Sequence, residues 1–191
     1  MTGNRLAHTY PAARKTAAIA LLLSLCIGSY FGILQLTGNF HEVVPHELYR
    51  SAQLSPDALV RYGTEYGIRT VVNLRGANPG KDWYDAEVAT SQLIGMHHVD
   101  FRMSASHELS DAEAAALTEL LRTAEKPVLV HCQAGADRSG LASALYVGAI
   151  AHQGRQASEG QLSLRYGHVA LPWLGAYAMD RTLEAVTPWA W

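Results

Sequence analysis

The sequence predicts an α/β domain preceded by one apolar N-terminal helix. Two observations predict it: short β-rich stretches alternate with helical patterns from His41 onward, and a long uncharged stretch comes before them. The chain has 191 residues, of which 49% are apolar and 17% charged, enough for one globular domain and a short appendage. The net charge of -2 supplies no basic surface, so nucleic-acid binding is not expected.

The N-terminal region has the pattern of a membrane segment. Arg14 and Lys15 precede a stretch, residues 16–40, that has no charge and is long enough to cross a bilayer core as a helix. We expect residues 1–15 to form a cytoplasmic N-terminus, residues 16–38 a transmembrane anchor or uncleaved signal, and residues 41–191 the globular domain. Because the positive flank favours the cytoplasm, that domain should lie across the membrane. The alternatives to a membrane anchor are a cleaved signal peptide and a buried core helix.

The first elements of the globular part are a hairpin and a helix. Residues 41–44 and 48–51 are β-rich and flank a turn with Pro45. Ser55 can cap the helix that follows, Pro56 suits its first turn and Gly67 can end it. The later elements are predicted as a buried strand over residues 70–74, a helix over 82–93, a strand over 97–102 and a helix that Ser110 caps and that ends near residue 124.

The most informative stretch is residues 127–140, which read PVLVHCQAGADRSG. An apolar strand, residues 128–130, runs into a loop of small residues, and a long apolar helix over residues 141–152 follows. In such a turn, successive backbone N–H groups can converge on one point that also faces the positive end of the helix. The pattern predicts a phosphate-binding loop. Its predicted phosphate-binding residues are Gln133, Ala134, Gly135, Ala136, Asp137 and Arg138.

Spacing within this loop assigns chemistry to its side chains. Cys132 opens the loop and Arg138 closes it, so both can reach an anion that lies over the amides. A helix N-terminus and a nearby cation favour the thiolate form of a cysteine, which is the nucleophile. Arg138 offers a planar fork that matches two phosphoryl oxygens. Ser139 is predicted to hydrogen-bond the sulfur and help it leave, and His131 to brace the loop.

Residues 131–140, HCQAGADRSG, resemble the HC-x5-R-[S/T] signature of the protein-tyrosine and dual-specificity phosphatases at every defining position. The stretches LYRSAQ at 48–53, GIRTVVNLRG at 67–76 and LSLRYGH at 162–168 resemble bacterial members, including periplasmic or membrane-tethered dual-specificity-like phosphatases. The resemblance covers most of residues 41–185. It implies a central, mainly parallel sheet of four or five strands flanked by helices, with the phosphate loop at the carboxyl ends of the strands.

The resemblance also implies a general acid, an aspartate roughly thirty residues before the nucleophile that protonates the leaving oxygen. Asp100 has this offset and is the first choice, although it lies in a predicted strand and a structural role is equally open. Asp137 competes with it, because some lipid-directed relatives carry an acidic residue inside the loop.

Several other side chains have two interpretations each. Arg75 fits the mouth of the pocket or a surface ion pair, whereas Tyr49 and Arg50 fit substrate positioning or cross-strand packing. The tryptophans of the last twenty residues fit docking on the domain or at a membrane interface. They are Trp173, Trp189 and Trp191.

Together these features predict an enzyme that hydrolyses phosphate monoesters through a phosphocysteine at Cys132, as a protein-tyrosine or dual-specificity phosphatase. Its expected partners are a phosphorylated protein or a small phosphate ester, and the membrane through the N-terminal helix; no cofactor or metal is expected. The predicted location is a bacterial inner membrane with the domain in the periplasm, or the periplasm itself if the signal is cleaved. The alternatives are a non-catalytic phosphate-binding module, or a phosphatase of small-molecule, lipid or inositol phosphates.

Overall fold

The computed structural model describes the backbone of residues 10–190 and the side chains of residues 14–186. Most of the predicted cytoplasmic N-terminus, residues 1–9, therefore lies outside the described residues, as do the side chains of Trp189 and Trp191.

The predicted membrane segment is one long helix, α1 (Tyr10–Leu36). Its apolar side chains are turned outward: Leu21 is 71% exposed and Leu25 64%. This exposure excludes the buried core helix, since such a helix would pack its apolar side chains inside the domain. The part from Arg14 to Leu36 is long and apolar enough to cross a membrane, a test that a signal sequence near the N-terminus also passes.

The centre of the domain is a mixed five-stranded sheet in the order β1-β2-β5-β3-β4. Its strands are β1 (His41–Val44), β2 (Leu48–Ser51), β3 (Thr70–Asn73), β4 (His97–Asp100) and β5 (Val128–His131). The first two form the predicted antiparallel hairpin, and the other pairings are parallel. The mainly parallel sheet is thus confirmed.

Helices cover both faces of the sheet, as its largely buried strands require. They are α2 (Pro56–Tyr66), α3 (Asp82–Leu93), α4 (Asp111–Thr123), α5 (Asp137–Leu145), α6 (Arg155–Glu159) and α7 (Ala178–Ala190). The predicted caps form: Ser55 accepts from the amide of Ala58, and Ser110 makes a capping box with Glu113. One core lies among α4, α5 and α7, and a smaller one lies under α2.

Several predicted boundaries differ from the structure: β3 ends at Asn73 instead of residue 74, and β5 at His131 instead of residue 130. Two larger differences concern α5 and β4. Helix α5 begins at Asp137, four residues before the predicted start at 141, because the helix continues directly from the loop, and it ends in a π-helical turn, Tyr146–Ile150. Strand β4 ends at Asp100 instead of residue 102, although the amides of Phe101 and Met103 still donate to the carbonyls of Asn73 and Leu74.

Candidate active site

The predicted phosphate loop connects the end of β5 to the start of α5, at the carboxyl edge of the parallel strands. Cys132 follows β5 directly and is only 2% exposed, while Arg138 is the second residue of α5. The residue before α5, Ala136, makes no side-chain cap, so the first amides of this helix are not taken by a capping group. The fold therefore places the cysteine, the arginine and a helix N-terminus around one loop.

Arg50 holds the loop from behind. This residue of β2 is fully buried, and its Nη2 donates to the carbonyls of Gly135 and Ala136 at 2.9 Å each. Its Nη1 donates to the carbonyl of Gln161 at 2.8 Å, and its guanidinium lies 4.0 Å from the centre of the Tyr166 ring. Burial lowers the pKa of Arg50 to about 10, so the group keeps its charge at neutral pH. Arg50 is thus a structural brace.

The other loop carbonyls also accept hydrogen bonds from donors outside the loop. The carbonyl of Gln133 accepts from the amide of Gln53 at 3.2 Å, and that of Ala134 accepts from Nδ2 of the buried Asn39 at 2.9 Å. Four consecutive carbonyls, residues 133–136, therefore point toward donors of the surrounding structure. The amides of residues 133–139 have no hydrogen-bond acceptor within residues 10–190. This geometry leaves a set of amides free for an anion.

Gly135 is required by both its conformation and its surroundings. Its φ is +72°, and a Cβ there would lie 2.6 Å from the amide nitrogen of Ala52.

We expect Gly135→Ala to lower the free energy of unfolding by about 3 kcal/mol and to reduce activity, because the loop must move to relieve the collision. The matched control is Gly80→Ala: its φ is +81° but nothing lies within 4 Å, so only the strain of about 1 kcal/mol remains. Equal losses in chemical denaturation would contradict this reading.

Arg138 and Arg75 bring two cations near the nucleophile. Nη1 of Arg138 donates to the carbonyl of Met103 at 3.4 Å, and its Nε is buried without a partner among the described residues. The guanidinium carbon of Arg75 lies over the Trp83 ring, 3.4 Å from its centre, and Nη1 of Arg75 donates to Oε1 of Gln53 at 2.8 Å. Burial and then the neighbouring Arg138 lower the pKa of Arg75. The geometry matches the mouth-of-pocket interpretation of Arg75 and not a surface ion pair.

His131 is held by a buried carboxylate. Its Nε2 and that of His98 both donate to Oε1 of Glu87 on α3, at 3.0 and 2.9 Å, and Gln53 donates to the other oxygen. Burial would raise the pKa of Glu87, but the hydrogen bonds from His131, His98 and Gln53 outweigh it and lower the pKa to about 2. Glu87 therefore stays charged and fixes the side chain of His131 next to Cys132. The predicted bracing of the loop by His131 stays a prediction.

The hydroxyl of Ser139 contacts the carbonyl of Ser51 at 3.4 Å. Within residues 14–186 it makes no hydrogen bond to the sulfur of Cys132. Its role toward the leaving sulfur stays a prediction.

Asp100 lies at the edge of the sheet with both oxygens engaged. Oδ1 accepts from Asn73 at 2.8 Å and Oδ2 from the hydroxyl of Tyr84 at 2.6 Å, a bond that raises the pKa of Tyr84 to about 12. Tyr84 belongs to α3, which places the Asp100 carboxylate on the α3 side of the sheet. Cys132 instead packs in the core among α4, α5 and α7. These contacts give Asp100 a clear local partner set, and its role as the general acid stays a prediction.

Asp137 lies in the first turn of α5 and is connected to α7 through a histidine. Oδ1 of Asp137 is 2.7 Å from Nδ1 of His168, and Nε2 of His168 is 2.9 Å from Oδ2 of Asp180. The His168 side chain is fully buried, whereas that of Asp137 is 27% exposed. Burial would lower the pKa of His168, but the hydrogen bonds to the two carboxylates raise it above its usual value. His168 thereby fixes the orientation of Asp137.

Sequence reasoning missed two residues that build this site. Asn39 and Glu87 act on the loop from distant parts of the chain, and Arg50 was left between two interpretations. A charged or amide side chain within a predicted buried element was the available signal, since such groups need a partner. Among residues 10–190 no three His, Cys, Asp or Glu side chains are arranged to hold a metal ion.

A buried cysteine, an arginine and free amides around one strand-loop-helix turn define the class of cysteine-based phosphatases. The chain belongs to the tyrosine phosphatase family, whose model matches residues 31–156. Among curated proteins it is similar to the dual specificity protein phosphatase CDC14C of Homo sapiens, with 28% identity over 95 residues. These residues are 50% of this chain and 20% of that protein, so the chain spans about a fifth of that relative.

Several solved structures share the fold of this chain. TpbA of P. aeruginosa superposes with a TM-score of 0.63 at 21% identity, covering 78% of this chain and 85% of that one, and a variant of TpbA has been solved in complex with pTyr. The catalytic core of the PP-IP phosphatase SIW14 from S. cerevisiae gives a TM-score of 0.59 at 16% identity, covering 78% and 91%. At these identities the likeness concerns the fold.

Proposed function

We propose that this phosphatase hydrolyses phosphorylated tyrosine, and serine or threonine, in proteins through a covalent phosphocysteine at Cys132. The observation that carries the proposal is the loop in which the carbonyls of residues 133–136 are bonded outward and Cys132 and Arg138 flank the free amides. Such a loop binds the equatorial oxygens of a phosphoryl group, and its donors stabilise the charge of the transition state.

The reaction has two steps. The Cys132 thiolate attacks phosphorus and forms an S–P bond while the bond to the ester oxygen breaks, and an acid gives that oxygen its proton. Water then attacks the phosphocysteine, the S–P bond breaks, the thiolate leaves and the same carboxylate takes the proton of the water. Arg138 holds the phosphoryl oxygens in both steps. The second cation, Arg75, would face the substrate at the mouth.

Trapping of the intermediate tests this function. The full chain in detergent is mixed with a radiolabelled phosphotyrosine peptide and quenched in acid, and the label is mapped by proteolysis. We expect the label on the peptide that contains Cys132, release of phosphate, and loss of both with vanadate. A non-catalytic phosphate-binding module would bind the peptide but carry no covalent label.

For the general acid we propose Asp137, since it directly follows the loop in the first turn of α5 and is partly exposed, while both Asp100 oxygens accept hydrogen bonds on the α3 side. We expect Asp137→Asn to lower kcat on phenyl phosphate by about 10²- to 10³-fold and to have much less effect on para-nitrophenyl phosphate, whose leaving group needs little protonation. Asp100→Asn is the matched control. If Asp100→Asn instead shows the leaving-group dependence, Asp100 is the acid.

We also propose that α1 is retained as a single-pass anchor in a bacterial inner membrane, with the domain on the periplasmic side. Support comes from its length, its exposed apolar side chains and the positive residues Arg14 and Lys15 near its N-terminal end. An alkaline phosphatase fused to the C-terminus should be active, and the fusion should stay in the membrane fraction at full length. An inactive fusion would place the domain in the cytoplasm, and a shortened soluble product would reveal a cleaved signal.

A further inference from the structure

An exposed apolar segment lies next to α1. In this segment, residues 164–174, Leu164 is 61% exposed and Trp173 is 77% exposed. The chain carries no charge from residue 169 to residue 179. Such a degree of exposure means that Trp173 is not docked on the domain, which was one of its two predicted roles. A cluster of this kind on a surface calls for an apolar partner.

The segment contacts the second half of α1. The hydroxyl of Tyr30 donates to the carbonyls of Leu164 and Arg165 at 2.8 and 2.9 Å. Gly167 lies so close that a Cβ there would be 3.3 Å from Leu34. Between α1 and the segment is an apolar crevice of about 400 Å³. It is lined by Cys26, Ile27, Tyr30, Phe31, Leu164 and Val169.

The position of these contacts relative to the bilayer follows from helix geometry. From Lys15 to Tyr30 a helix rises about 22 Å at 1.5 Å per residue. The hydrocarbon core of a bilayer is about 30 Å thick, so a helix that leaves Lys15 in water reaches the far side only near Leu36. Tyr30 and Leu34 meet the segment before that point. A domain fixed to α1 in this way must bring residues 164–174 to the membrane interface.

We propose that the segment of residues 164–174 is a second membrane contact, which inserts apolar side chains into the lipid interface and holds the domain against the bilayer. The inserted side chains are Leu164, Leu171, Trp173 and Leu174. The occupant is lipid because the segment is continuous with a helix that faces lipid, tryptophan favours the interface, and the exposed Arg165 can face lipid phosphates. The proposal rests on the proposed retention of α1 as an anchor.

This contact would fix the catalytic loop near the membrane. At the end of α1, Gln35 and then Asn39 donate to the carbonyl of Ala134, at 3.4 and 2.9 Å. Just after the segment, Gly175 packs against Ser106, since a Cβ on Gly175 would lie 3.0 Å from the Cβ of Ser106. Ser106 belongs to the loop that follows Met103, and the carbonyl of Met103 accepts a hydrogen bond from Arg138. Phosphate groups presented at the membrane surface would therefore be the reachable substrates.

Lipid quenching tests the insertion directly. The full chain is reconstituted into phosphatidylethanolamine and phosphatidylglycerol vesicles with or without bromine on the acyl chains, and tryptophan fluorescence is compared with that of Trp173→Phe. We expect brominated lipid to quench the tryptophan fluorescence of the wild type clearly more than that of Trp173→Phe. Equal quenching of the two proteins would overturn the proposal.

A charge in the segment tests the consequence for catalysis. Leu164→Glu should lower hydrolysis of a phosphotyrosine peptide tethered to lipid in the same vesicles by about tenfold, since a leucine is lost from an apolar interface, with para-nitrophenyl phosphate unaffected. The matched control is Leu93→Glu, because Leu93 is 82% exposed at the end of α3 and should change neither rate. Equal rates for the two variants on the tethered peptide would overturn the proposal. If the wild type did not hydrolyse the tethered peptide at all, the proposed function would be refuted. The fluorescence quenching would still show whether the segment inserts into lipid.

Discussion

Cys132→Ser should reduce kcat on para-nitrophenyl phosphate by about 10⁴-fold or more. Serine has nearly the same size, but its hydroxyl is not ionised at neutral pH, so no phosphoenzyme forms. Cys132 is buried at the end of β5 and is backed by the hydrogen-bonded loop, so the substitution should leave phosphate binding in place. Initial rates on the full chain in detergent, together with vanadate affinity and Tm, provide the measurement.

The chain offers its own control for this variant. Cys26 is the second cysteine and lies exposed on α1, far in sequence from the loop. Cys26→Ser should retain full activity. If Cys132→Ser also kept most of the rate, hydrolysis would not pass through this sulfur and the proposed mechanism would fail.

Arg50→Met should damage both stability and catalysis. The substitution keeps an apolar stem but removes the donors to the carbonyls of Gly135, Ala136 and Gln161. Leaving buried acceptors without partners costs about 1–3 kcal/mol for each, and partial hydration lowers the sum, so we expect the free energy of unfolding to fall by about 3 kcal/mol. Once the carbonyls are released, the loop amides no longer converge, so kcat should fall by about 10²-fold.

The catalytic part of this prediction has a separate readout. Assayed well below its Tm, Arg50→Met should bind vanadate more weakly than the wild type, a change that a loss of global stability alone would not produce. Arg61→Met is the matched control, because Arg61 also lies over a tyrosine ring, at 4.6 Å from Tyr62, but on the exposed surface. Unchanged vanadate affinity in Arg50→Met would mean that the loop holds its shape without this brace.

Local sequence signals were sufficient for most of the fold. Helix α2 begins after its cap Ser55 and ends at Gly67, whose φ is +64°, and α4 begins after the capping box of Ser110. These features are properties of a few neighbouring residues, so they can be recognised without tertiary contacts. The strand boundaries were less certain, since the end of β4 at Asp100 depends on its pairing with β3.

The candidate site was predictable only in part, for the same reason. The stretch 131–140 determined where the loop lies and which cysteine and arginine flank it, because strand, loop and helix follow one another in the chain. The general acid was not determined, since Asp100 and Asp137 differ in which neighbours they face, and no spacing reveals that. Only the packing of α3 beside β4 put Tyr84 next to Asp100, and only the packing of the segment after Tyr166 against the start of α5 put His168 next to Asp137.

By itself, then, the sequence determined the α/β alternation, the apolar N-terminal helix and the loop with Cys132 and Arg138. Each of these features depends on residues that are neighbours in the chain. The tertiary structure decided what surrounds the loop: Arg50 and Asn39 on its carbonyls, Glu87 behind His131, and residues 164–174 against α1. The physical reason is that hydrogen bonds of buried polar groups join residues far apart in the chain, and only the packing of helices on the sheet selects which groups meet.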